Sequence, residues 1–343
     1  LRIARTLGAA ATAVALTASL AACSSGSAAP ASGDDAAAPG DFPVEVEHAL
    51  GTTTIETAPE RVASIGWGNQ DVALALGIAP VGVDDQTWSM DGSDGLGLYE
   101  WTTDAYAELG AEEPEIFSTS DGIDFEAIAD TQPDVIIAAY SGPTEEEYAT
   151  LSEIAPTVSY PGVPWYTPWR DSILTNAKGL GLEAEGEALV ADLDQQIAEA
   201  TADSEFEGKT AAFLFLNAAD LSTTSVYAVG DSRAAFLTDL GFEVPQAAEE
   251  AADAGTFYAD ISAENVDKLA DVDVIVSYGG DELLPALQAD PLWSTLPAVE
   301  NGAVVTVGAG DDLSGAVSPT ALSIPWMLDE YVGLLDDAVA KVK

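Results

Sequence analysis

One uninterrupted helical stretch divides this chain. Glu183 to Ser204 reads EAEGEALVADLDQQIAEATADS, without proline, and Leu189, Val190, Leu193 and Ile197 recur at the spacing of one helical face. Its Glu, Ala, Gln and Leu residues are good helix formers. At about 1.5 Å per residue the stretch reaches roughly 30 Å, the width of a small domain. On either side lie about 120–140 residues of repeating strand and helix signals, enough for a domain each. The expectation is an α/β protein of two Rossmann-like lobes joined by a single long helix, with a ligand cleft between them. The lobes are expected over 41–172 and 205–343, with a connecting helical segment over 173–204.

The N-terminus stands apart. Arg2 and Arg5 precede the apolar run LGAAATAVALTASL, and small residues follow up to Cys23. A basic start, a short apolar run and small residues before a cut describe an export signal over 1–22. The run is too short to span about 30 Å of hydrocarbon. Leu20-Ala21-Ala22-Cys23 resembles the lipobox of bacterial lipoproteins, in which the cysteine is diacylated and becomes the first mature residue. Cys23 is the one cysteine in the chain, so its acylation excludes disulfides and thiol catalysis. Residues 23–40, rich in Ala, Ser, Gly and Pro, read as a flexible tether.

The chain carries 59 Asp and Glu against 10 Lys and Arg, a net charge of −49. That field repels nucleic acid, whose binding needs clustered basic residues, and it opposes anionic lipid. It favours solubility and attracts cations. Acidic pairs are so frequent that no pair can be singled out as a glycosidase dyad.

In chain order, Asp41–Ile55 alternates around Leu50-Gly51 as a β-hairpin, and Arg61–Gly66 reads as a buried strand. Trp67-Gly68-Asn69 is a loop, followed by a helix ending at Gly77 and a strand at Pro80–Val83. Asp84–Ser120 is loop-rich. A helix at Phe125–Thr131 then leads to a strand at Asp134–Ala139 and to Tyr140-Ser141-Gly142. Thr144 and Glu147 have capping-box spacing. Past the long helix the grammar repeats, with strands at Ala211–Leu216 and Val226–Val229. Gly66 and Leu76-Gly77 are spaced as Gly230 and Leu240-Gly241 are, and FEAIADTQPDVIIAAYSG resembles AENVDKLADVDVIVSYGG. These two matched pairs suggest an internal duplication built on parallel sheets. A closing helix is expected over Ser323–Lys343, with Pro325 in its first turn.

The loops after parallel strands line the edge where such folds bind ligands. Trp67, Tyr140, Arg233 and Tyr278 fall in those loops or at the next helix start. Trp67, Trp88, Trp101, Trp165 and Trp169 lie in stretches without core periodicity. Gathered at a cleft with Arg233, they would suit a bulky ligand with an apolar frame and a polar centre. Gly230-Asp231-Ser232 looks like the nucleophile motif of an esterase. The one histidine, His48, lies far upstream in the other lobe, so Ser232 reads more simply as a helix cap. Zinc and manganese sites lack the histidines they need, and no calcium loop or phosphate loop appears.

Several stretches in a fixed order resemble the ferric-siderophore-binding lipoproteins of ABC importers, the class III solute-binding group that includes cobalamin and haem binders. They are Arg61–Gly66 with Asp71–Gly77 and Pro80-Val81-Gly82, Phe125–Ile128 with Gln132–Ile137, Leu151–Val158, and Asp290–Trp293 with Pro297–Val304. The resemblance runs from about Asp41 to the C-terminus. It implies two α/β lobes on one long helix that open and close little. It also implies an exported protein, lipid-anchored at Cys23 to the outer face of the cell membrane. Such a protein would act as a monomer and catalyse nothing. The family docks one acidic residue per lobe onto arginines of its permease, and the matching positions are Glu126 and Glu264. Expected ligand contacts are Trp67, Trp88, Tyr140, Trp165, Arg233 and Tyr278. No cofactor is implied, since the iron arrives already chelated, and the acidic field favours a neutral or cationic hydroxamate over a trianionic catecholate. Haem or cobalamin binding is the alternative within the fold, and a secreted α/β hydrolase the alternative outside it.

Overall fold

Short runs of Val, Ile and Ala with no polar alternation build the centres of both sheets. The computed structural model describes residues 40–87, 97–119, 121–253 and 255–343. The expected export signal, Cys23, nearly all of the tether and Trp88 lie outside the described residues.

The N-terminal part opens with a hairpin, β1 (Val44–His48) and β2 (Gly51–Ile55), antiparallel with His48 opposite Gly51. Then follow β3 (Val62–Ser64), α1 (Asn69–Ala75), β4 (Gly82–Asp84), α2 (Glu100–Leu109), β5 (Glu115–Phe117), α3 (Phe125–Asp130), β6 (Val135–Ile137), α4 (Glu145–Ile154) and β7 (Thr157–Val158). The five strands after the hairpin form one parallel sheet in the order β5-β4-β3-β6-β7. Every residue of β3, β4 and β6 is buried. Helices on both faces of a parallel sheet produce that pattern, and it requires apolar or small residues at each position. Thr144 and Glu147 form the capping box of α4, each accepting the other's backbone N–H.

Two consecutive helices carry the chain across. α5 (Trp169–Gly179) packs on α1, β1 and the β6–β7 edge, and α6 (Glu183–Ala200) packs on α5. The buried residues of α6, Gly186, Leu193 and Ile197, fall on one face. A side chain at Gly186 would collide with Ala177 of α5, so the two helices approach closely there.

The second lobe comprises β8 (Ala211–Asn217), β9 (Asp220–Tyr227), α7 (Ser232–Asp239), α8 (Gln246–Ala252), β10 (Tyr258–Ser262), a 3₁₀ segment Ala263–Leu269, and β11 (Val274–Ser277). After these come α9 (Leu283–Ala289), α10 (Pro297–Asn301), β12 (Val304–Thr306), α11 (Asp312–Ala316) and α12 (Ser323–Val339). α12 buries Ile324, Met327, Leu328, Tyr331, Val332 and Leu335 and packs on α6, β11 and β12.

This second sheet is mixed, in the order β10-β9-β8-β11-β12. β8, β11 and β12 are parallel, whereas β9 and β10 run antiparallel. The all-parallel expectation fails here for a local reason. Asn217 to Asp220 make a tight turn, with the Asn217 side chain accepting the Ala219 N–H at 3.0 Å, so β8 folds straight back into β9. β9 and β10 alternate between exposed and covered residues, as a sheet edge with one wet face does. The duplication is therefore partial. β8 takes the place of β3, because each pairs in parallel with the strand after the matched helical unit, β11 or β6. β9 is the addition.

Candidate functional site

The ends of β3, β4 and β6 in one lobe, and of β9 and β11 in the other, face a shared cavity of about 810 Å³. Gly66, Trp67, Asp84, Gln86, Tyr140 and Trp165 line it from the first lobe. Phe215, Tyr227, Arg233, Phe257, Tyr258 and Tyr278 line it from the second, with Gly310, Ser314 and Ser318 from the segment before α12. Five of the six expected ligand contacts thus meet at one place: Trp67, Tyr140, Trp165, Arg233 and Tyr278. The sixth, Trp88, is outside the described residues.

The loop after β3 is held by backbone geometry. Gly66 has φ +81°, and a side chain there would collide with the Tyr140 carbonyl. Trp67 follows, donating its indole N–H to the Ser318 carbonyl at 3.2 Å and its backbone N–H to Tyr140 O at 3.0 Å. Tyr140, after β6, is buried with its hydroxyl 3.1 Å from Ser232 Oγ in the opposite lobe. Burial, with the nearby Asp231 charge, pushes the Tyr140 phenol up to about 12. It stays neutral and serves as a hydrogen-bonding group.

Arg233 sits in the first turn of α7, 7% exposed. Its Nε donates to Asp231 Oδ1 at 2.8 Å and its Nη2 to Asp231 Oδ2 at 2.7 Å, a bidentate pair. Its guanidinium carbon lies 4.0 Å from the centre of the Tyr227 ring, and Nη1 donates to the Tyr278 hydroxyl at 3.3 Å. Burial works against its charge, but the Asp231 carboxylate overcomes that and holds the guanidinium protonated. Asp231, not Ser232, caps α7 by accepting the Arg233 N–H at 3.0 Å. With Ser232 bound to Tyr140 and Asp231 bound to Arg233, no nucleophile–base pair forms in the esterase-like motif. His48 lies in the hairpin, hydrogen-bonded to Thr53 Oγ1 at 2.9 Å and to the Tyr148 hydroxyl at 3.2 Å.

Trp165 shows strain at the cavity mouth. It is 42% exposed and has φ +56°, a left-handed conformation that non-glycine residues rarely adopt. Its N–H donates to Ser141 O at 2.9 Å, and its ring lies edge-on to Tyr140 at 6.1 Å. Two other tryptophans were expected at the cleft and are elsewhere. Trp101 belongs to α2, stacks on Tyr99 at 4.5 Å and donates to Asp71 Oδ2 at 2.9 Å. Trp169 starts α5 and donates to Asp239 Oδ2 at 2.8 Å. Both are packed residues: α2 falls in the stretch read as loop-rich, and α5 begins four residues before the expected helical segment over 173–204.

Side chains outside the cavity tie the parts of the chain on either side of it. Asp71, fully buried, accepts from Trp101, from Thr102 Oγ1 at 2.8 Å and from Thr320 Oγ1 at 2.5 Å. Burial pushes its carboxyl up to about 6, and these donors hold it from going further. The Tyr166 hydroxyl accepts from the Gly230 N–H at 2.8 Å, and Arg170 bridges Asp194 and Asp239. Glu126 and Glu264 are both exposed, in the first turns of α3 and of the 3₁₀ segment, one on each lobe. Sequence reasoning missed Asp84, Gln86, Phe215, Tyr227 and Phe257 as cavity walls. Asp84 was within reach, because it ends a strand on the same sheet edge as Trp67. Among the described residues no three His, Cys, Asp or Glu side chains gather as a metal-binding set, and no helix is long and apolar enough to cross a membrane.

Residues 62–309 match the family model described as periplasmic binding protein. The chain belongs to that family. Periplasmic binding proteins carry solutes and do not transform them. Among solved structures, the chain is similar to Streptococcus pneumoniae PiaA in complex with ferrichrome, with 41% identity and a TM-score of 0.83, covering 88% of this chain and 100% of that one. A periplasmic solute-binding protein from Mycobacterium smegmatis matches with 30% identity and a TM-score of 0.70, over 86% of this chain and 98% of that one. The Fe(3+)-citrate-binding protein YfmC of Bacillus subtilis is 28% identical over 260 residues, 74% of this chain and 75% of the relative.

Proposed function

We propose that this periplasmic binding protein captures a ferric siderophore, with a hydroxamate favoured, and delivers it to the permease of an ABC importer for iron uptake. The observation that carries this reading is the interlobe cavity. About 810 Å³ walled by Trp67, Trp165, Tyr227, Phe257 and Tyr258 suits a bulky ligand with an apolar frame. Arg233, Tyr140 and Tyr278 offer donors to the oxygens around a chelated metal. The chelator supplies iron's coordination sphere, so no protein ligands to the metal are needed. Similarity to a chain solved with ferrichrome, a trihydroxamate, supports the hydroxamate class. Haem would find no histidine on the described cavity wall, because His48 is engaged in the hairpin, and would have to take a tyrosine such as Tyr140 or Tyr278 as its ligand.

Export and acylation at Cys23 would hold the protein at the outer face of the membrane, with residues 24–40 as a tether. Glu126 and Glu264, exposed on separate lobes, would dock on basic residues of the permease. The test is a tryptophan-fluorescence titration against ferric siderophores, their iron-free forms, haem and cobalamin. Saturable quenching by a ferric siderophore supports the reading. Tight binding of haem or cobalamin alone would keep the fold and replace the ligand.

A further inference from the structure

Asp84 ends β4 on the cavity wall and is 8% exposed. Its Oδ2 accepts the Gly66 N–H at 2.6 Å, and Oδ1 meets no donor among the described residues. Among the described residues no lysine or arginine pairs with it. The one cation on the described cavity wall is Arg233, whose charge is already matched by Asp231. Neighbouring Asp85 is also satisfied, by the Thr87 hydroxyl and backbone N–H and by the Gly97 N–H. Asp84 is therefore a half-satisfied, nine-tenths buried carboxylate facing a ligand-sized space. Ionised, it has no countercharge among the described residues.

We infer that Asp84 receives a cationic group of the ligand, so that the preferred cargo is a ferric hydroxamate bearing a protonated amine. The inference rests on the siderophore reading and narrows it. An ammonium brought to Oδ1 would form a charge-assisted hydrogen bond and supply the missing countercharge. A ferric citrate or tris-catecholate complex would instead set negative charge against Asp84, with Arg233 already neutralised. Burial, with some help from the Asp85 charge, pushes the Asp84 carboxyl up to about 7, and the Gly66 N–H opposes this. An arriving cation would reverse the shift. A purely structural role, bracing the Gly66 turn, needs only an acceptor oxygen, and asparagine supplies that equally.

The test is calorimetric titration of the full chain at pH 8 with two matched ligands. One is ferrioxamine B, a trihydroxamate with a free ammonium arm, and the other is the same complex acetylated at that amine. The wild-type chain should bind the ammonium form about tenfold more tightly. Asp84→Asn should lose this discrimination and bind the two forms equally. Equal wild-type affinities, or discrimination that survives in Asp84→Asn, overturn the inference while leaving siderophore capture standing. Preference for an anionic ferric complex does the same. Failure to bind any ferric siderophore removes both. The wild-type comparison needs no variant, so a folding defect in Asp84→Asn cannot mask the result.

Discussion

Arg233 and Asp231 hold each other through two parallel hydrogen bonds of 2.8 and 2.7 Å at the start of α7, with the arginine on the cavity wall and the aspartate fully buried. The pair makes the cavity's guanidinium a donor without net charge. Three of its five N–H groups are engaged, by Asp231 and Tyr278, and the remaining two have no partner among the described residues.

Removing one partner should be costly. Asp231→Ala strands a buried guanidinium and deletes the α7 cap. A loss of about 3–5 kcal/mol is expected, read as a lowered midpoint in urea denaturation. A variant as stable as the wild type would mean the pair is solvated and its geometry unimportant.

Trp165 should behave in the opposite way. Its left-handed backbone suits glycine, and its indole is largely outside the core. Trp165→Gly is expected to change stability by less than about 1 kcal/mol. Loss of an aromatic face at the mouth should weaken ligand binding by about tenfold. Equilibrium titration alongside thermal melting separates the two effects.

Stability should fall as pH rises from about 4 to 8. Burial raises the carboxyls of Asp71 to about 6 and Asp84 to about 7, above their ordinary value of 3.8. Through that window the folded chain retains protons that the unfolded chain has released, so raising the pH favours unfolding. Asp84→Asn should be more stable than wild type at pH 8, and the advantage should vanish towards pH 4. Denaturant midpoints across this range provide the check.

Charge reversal at Glu126 and Glu264 should leave ligand affinity unchanged, since neither lines the cavity. Uptake of radiolabelled ferric siderophore by cells carrying the double variant should fall to background. Normal uptake would remove both residues from docking.

Much of the frame was legible because periodicity reports burial. The long helix, the first hairpin, the Thr144–Glu147 cap and the buried strands all follow from patterns within a few residues. Trp101 and Trp169 misled for the same reason. α2 and α5 carry mixed apolar and polar faces near segments rich in Gly and Pro, so their tryptophans looked like loop residues. The β8–β9 hairpin was missed because its turn, Asn217-Ala218-Ala219-Asp220, lacks glycine and proline. Asp84 was hidden by number: among 59 acidic residues, only the fold distinguishes a buried carboxylate from a solvated one.

The most direct test is a crystal structure of the chain grown with a ferric hydroxamate, using diffraction collected at the iron absorption edge. The account predicts one anomalous peak in the interlobe cavity, among Trp67, Trp165, Arg233 and Tyr278, with the protein supplying no metal ligand. Iron bound directly by side chains, or a peak anywhere outside that cavity, would contradict it.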